Sequence, residues 1–150
     1  MGVVARRPVA AVAAALLFLE AIGIAVVHMI LGIVVDRQDM SLAGLDPGAM
    51  SLSTWIAGAL FGLYLGLCGF LLLRCAMTDR APGRYARIAL ISCAVVHGVL
   101  GALTVGLVGW LAFAFMMGVF GLIVLSVVAY GERHGPEDAP AAPLEGPSPA

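Results

Sequence analysis

Four apolar runs, Val9 to Val35, Leu52 to Leu73, Ile88 to about Val105 and Trp110 to Ala129, fill most of this 150-residue chain. A hydrocarbon core about 30 Å thick takes roughly 20 helical residues to cross. In lipid the backbone finds no water, so a crossing segment satisfies its own amides and carbonyls, which a helix does. Hydrophobic residues are 62% of the chain and charged ones 11%, whereas about a quarter of a soluble domain is charged. The sequence therefore predicts an all-α, four-helix transmembrane bundle. Its expected parts are a cytoplasmic N-terminus (1–8), a membrane domain (9–130) and a disordered cytoplasmic tail (131–150). The spans are expected at about 9–35, 52–74, 86–106 and 110–130.

Arginine placement orients the bundle. Arg6 and Arg7 precede the first run, Arg74, Arg80, Arg84 and Arg87 flank the second connection, and Arg133 follows the last run. Only Arg37 falls in the opposite set of loops, beside Asp36, Asp39 and Asp46. Basic residues in short loops stay cytoplasmic, which predicts both termini inside. Trp55 and Trp110 then belong to the outer aromatic belt and Tyr85 and Tyr130 to the inner one. The first run is too long for a signal-peptide core and carries Glu20 in its middle, so it is read as a retained span. The three cysteines, Cys68, Cys75 and Cys93, lie toward the cytoplasmic side, where structural disulfides are not expected.

Between the first two spans, Asp46-Pro47-Gly48 reads as a turn, with Ser51 or Ser53 capping the second helix and Leu42, Leu45 and Met50 folding back over the bundle. The tail, with five prolines after Gly131, lacks the apolar residues for a core.

Polar residues inside spans are the candidates for chemistry. Ala25-Val26-Val27-His28-Met29-Ile30-Leu31-Gly32 and Ala94-Val95-Val96-His97-Gly98-Val99-Leu100-Gly101 agree at six of eight positions, so the bundle reads as two repeated hairpins. Under that repeat His28 and His97 sit at one depth. They pack as hydrogen-bonded core residues or, alternatively, ligate a b-type haem, with Gly32 and Gly101 leaving room for the macrocycle. Otherwise no cofactor is expected. Glu20, near mid-membrane, calls for a proton or a partner, and Tyr64 is the partner expected, with His97 as a helper in proton handling. Cys68, Cys93 and His97 are weighed as a soft-metal set, with cysteines as buried small residues the simpler reading. Two rows of small residues, Gly58-Gly62-Gly66 and Ala94-Gly98-Ala102-Gly106, predict close helix contacts.

Leu19-Glu20-Ala21-Ile22-Gly23 resembles the first-span motif of small multidrug resistance exporters, which implies proton exchange at Glu20. Across residues 8 to 130 the chain resembles small four-span actinobacterial membrane proteins. That rests on Asp39-Met40-Ser41-Leu42-Ala43-Gly44-Leu45-Asp46, Val105-Gly106-Leu107-Val108-Gly109-Trp110 and the overall layout. It implies a bacterial plasma membrane and no particular activity. All eight basic residues being arginine fits a GC-rich genome.

No phosphate-binding glycine loop, nucleophile–histidine–acid set, zinc spacing or basic array for nucleic acid occurs, so an enzyme is not expected. Three roles remain open: an accessory or scaffold component acting through helix packing, a proton-linked transporter using Glu20, and a bis-histidine haem carrier. The expected partners are the bilayer and a homodimer mate or another membrane protein. Fluorescent-protein fusions to either terminus should both fluoresce in bacteria, and alkaline phosphatase fusions at the same points should both be inactive.

Overall fold

The computed structural model describes residues 3–39, 41 and 44–131. The predicted tail, Arg133 and Leu42 lie outside them. The described residues form four helices without strands: α1 (Val3–Arg37), α2 (Pro47–Thr78), α3 (Arg84–Leu107) and α4 (Trp110–Gly131). All four are long and apolar enough to cross a membrane. Packing is heaviest between α1 and α2, then between α3 and α4, with α1–α4 and α2–α3 contacts lighter. The helices thus follow one another round a ring, and α1 faces α3 across its diagonal.

The second helix starts a turn before the apolar run. Asp46 is its N-cap and accepts a hydrogen bond from the Ala49 amide, with Pro47 in the first turn. A capping acid followed by proline opens a helix as readily as it makes a turn, and this corrects the expected turn at 46–48. Ser51, expected as a cap, is buried and donates to the Gly32 carbonyl, while Ser53 donates to Met50. Leu45 is exposed and does not cover the bundle.

At the arginine-rich end a clamp joins three helices. Arg6 makes a two-point ion pair with Asp79, at 2.9 and 2.7 Å, and its guanidinium stands 5.5 Å from the Tyr130 ring centre. Asp79 ends α2 in the left-handed conformation (φ 52°). Arg7 donates to the carbonyls of Ala76 and Met77, which as last-turn groups have no intrahelical partner. Tyr130 donates to the Cys75 carbonyl and is 1% exposed. It is a core residue of the clamp, not a member of an interfacial belt. Tyr85 and Trp110 are largely exposed, and Trp55 donates its indole N–H to Met29.

The hairpins are unequal. At about 1.5 Å per residue, α1 and α2 (35 and 32 residues) are about 50 Å long, and α3 and α4 (24 and 22 residues) about 35 Å. With one end aligned by the clamp, the first hairpin projects beyond the second at the other end. The apolar core, including Ala13, Leu17, Leu65, Cys68, Leu72, Leu90, Cys93, Val119 and Ile123, lies in the arginine-side half. Beyond it each hairpin closes mainly on itself: Gly32, Ser51 and Gly58 are buried between α1 and α2, and Gly101 against Met116 and Met117 of α4.

Glycine sets the α1–α2 approach. A Cβ at Gly58 would run into the His28 Cβ, one at Gly62 would meet the Ala21 carbonyl at 3.2 Å, and one at Gly69 the Ala14 carbonyl at 3.3 Å. Gly66, expected in this row, has nothing within 4 Å. A strict four-residue repeat drifts about 40° per step around a helix of 3.6 residues per turn, so the seam moves to Leu65 and Gly69. The row on α3 drifts likewise: Ala94 is buried and Gly98 faces Phe120, but Ala102 and Gly106 are exposed. Gly58→Ala should lower the stability of the purified protein in micelles by about 1–3 kcal/mol through overpacking. Gly66→Ala should leave it unchanged or slightly raised, both read by thermal unfolding.

Candidate functional site

A buried polar contact crosses the interior of the ring from α1 to α3. His97 Nε2 on α3 lies 2.8 Å from Glu20 Oε2 on α1, with the two side chains 3% and 8% exposed. Counting from the clamped end explains the meeting. Glu20 is 14 residues beyond Arg6 and His97 is 13 beyond Arg84, about 20 Å along each helix at 1.5 Å per residue.

The hydrogen bonds fix the protons. His97 Nδ1 is 2.8 Å from the Cys93 carbonyl, and a carbonyl only accepts, so Nδ1 carries a hydrogen. One further proton then occupies the Nε2–Oε2 bond. It rests on nitrogen, giving imidazolium and carboxylate, or on oxygen, giving neutral imidazole and carboxylic acid. Both arrangements have zero net charge: the second buries no ion, and in the first the mutual attraction offsets part of the desolvation of the two ions. In either, Glu20 Oε1 is a pure acceptor, and this buried atom has no hydrogen-bond partner among the described residues.

Glu20 and His97 line a small cavity of about 110 Å³ with Ile24, Phe61, Leu65, Leu100 and Met116. A wider cleft of about 530 Å³ adjoins it through the shared residues Ile24, Phe61 and Leu100, and adds His28, Ala57, Leu60 and Tyr64. Leu60 is 64% exposed, so the cleft opens on the flank of the bundle, where lipid would lie.

The structure redistributes the expected polar set. Tyr64, expected as the partner of Glu20, places its hydroxyl 2.6 Å from Ser92 Oγ and 3.4 Å from the Ala89 carbonyl. His28 is half-buried in the cleft, its Nδ1 2.9 Å from the Ile24 carbonyl. His28 and His97 each bond the carbonyl four residues back, but they are not at one depth. His97 meets Glu20, and His28 is about 12 Å further along α1. Depths counted from the outer loop misled, because the longer first hairpin displaces that reference. Nor do Gly32 and Gly101 leave a slot: the Trp55 indole fills the space beside Gly32, and Met116 and Met117 that beside Gly101. Cys68, Cys93 and His97 lie together, with Cys93 Sγ 3.7 Å from His97 Nδ1, but they are not arranged as ligands. Cys68 Sγ is turned to the Ala89 carbonyl and His97 Nε2 to Glu20, and no group of three or more such residues positioned for a metal ion occurs among the described residues. The cavity walls Ile24, Phe61, Leu100 and Met116 carried no sequence signal, being ordinary apolar residues of a span.

Compared with known proteins, the chain matches no family, no curated protein and no solved structure.

Removing one partner of a buried pair strands the other. His97→Ala should cost about 3–5 kcal/mol, and the double variant Glu20→Leu/His97→Leu should recover most of that loss, as measured by thermal unfolding in one detergent.

Proposed function

We propose that the protein is a non-enzymatic, four-span plasma-membrane carrier, both termini cytoplasmic, that couples movement of a small molecule to a proton held by Glu20 and His97. The observation that carries the reading is the buried contact between Glu20 and His97, two residues that line one cavity. Ionisable groups deep in a span are costly and mark proton or substrate paths. A pair that shares one proton at zero net charge can take up a second or release the first, and each change alters the charge buried at the cavity wall. The other titratable groups close by are the thiols of Cys93 and Cys68, with Tyr64 beyond them.

A second reading, an accessory or scaffold component, draws support from the outer half of the bundle, where α4 has no buried residue before Val119. A mate of similar apolar character would cover that surface. The haem reading has less support, since both ring nitrogens of His97 already have protein partners.

Glu20→Gln keeps a hydrogen bond to His97 and removes the exchangeable carboxyl proton. In vesicles with a trapped pH-sensitive dye and an imposed pH gradient, wild type should speed gradient decay when a transported amphiphile is added. Glu20→Gln should not. Equal decay in the two excludes the proton role of Glu20.

A further inference from the structure

We infer that the cleft and the small cavity behind it form one binding site for a membrane-dissolved alcohol, whose hydroxyl donates to Glu20 Oε1 while its apolar body lies in the cleft. This rests on the carrier reading for its biological use, but the binding chemistry stands on separate observations.

Glu20 Oε1 is an acceptor in both proton arrangements, is buried and has no partner among the described residues. A buried acceptor left unsatisfied is costly and rare in native structures. The torsion that carries a carboxylate is broad and roughly two-fold, so binding turns the carboxylate to present Oε1 to the cavity that Glu20 lines. At about 30 Å³ per water-sized group, 110 Å³ accommodates roughly three or four non-hydrogen atoms. That is a hydroxyl and its first carbons, and it is too small for a sugar or a phosphate ester.

The remaining lining of the cavity, Ile24, Phe61, Leu65, Leu100 and Met116, is apolar. It offers nothing to a second polar group on the ligand and little to a cation beyond the one carboxylate, whose charge His97 already balances. A neutral donor on a hydrocarbon stem fits this wall. Entry is from the side: Ala57 and Leu60 stand exposed at the mouth of the cleft, and Ile24, Phe61 and Leu100 separate it from the inner cavity.

The test is photo-crosslinking of the intact protein in vesicles with 1-dodecanol that bears a diazirine near its hydroxyl. Wild type should be labelled on Ile24, Phe61, Leu65, Leu100 or Met116. Unlabelled 1-dodecanol should protect about tenfold better than dodecyl methyl ether, which lacks the donor. Equal protection by the ether overturns the proposal, as does protection by dodecylamine and not by the alcohol. So does labelling spread over exposed sites such as Leu111 and Val128. Leu100→Trp should fill the passage and abolish labelling at unchanged thermal stability, and persistent labelling in that variant also overturns it. Glu20→Gln keeps an acceptor oxygen, so it should still be labelled, and loss of label there counts against the hydroxyl contact. Flux that persists in Glu20→Gln refutes the proton-coupled carrier and leaves the site intact, so the two failures are distinguishable.

Discussion

The contact between Glu20 and His97 is where packing and chemistry meet in this bundle. It joins helices that are not neighbours in the ring, at the limit of the apolar core farthest from the arginine end. In a bilayer there is no hydrophobic drive between helices, so close backbone approach and polar contacts decide which faces meet. On α1 the two devices divide the helix. Its face toward α2 is set by close approach to Gly58, Gly62 and Gly69, and its face toward the ring interior by a single carboxyl group.

The electrostatic economy of that contact follows from one carbonyl. Because Cys93 O accepts from Nδ1, the imidazole presents only Nε2 to the carboxyl group, and a single proton serves both partners. The pair is neutral wherever that proton rests, and one oxygen is left over. Two properties follow together: no net charge is buried in hydrocarbon, and an acceptor is left over for a donor.

Span number, span order and the clustering of arginines at one end were legible in the residues, because run length and loop charge are local properties. The described arginines Arg6, Arg7, Arg74, Arg80, Arg84 and Arg87 do lie at the clamped end, and Arg37 at the other. Glu20, His97 and Tyr64 could be singled out, but their pairing depends on helix stagger, which sequence spacing does not state. The unequal hairpins hid it: from the clamped end Glu20 and His97 are level, whereas from the outer loop they are not. The same limit applies to Gly69, which takes the place that a four-residue count assigned to Gly66, and to Tyr130, whose position at a span end suggested an interface and whose hydroxyl instead meets Cys75.

Arg6, Asp79, Tyr130 and Cys75 bind the start of α1, the end of α2 and the end of α4 into one knot. Beyond the knot the contacts between the two hairpins are lighter than those within each, so their separation at the far end is set by the angle at which the knot holds them. Over a lever of about 30 Å (20 residues at 1.5 Å each), a tilt of about five degrees at the knot parts the far tips by roughly 2.5 Å.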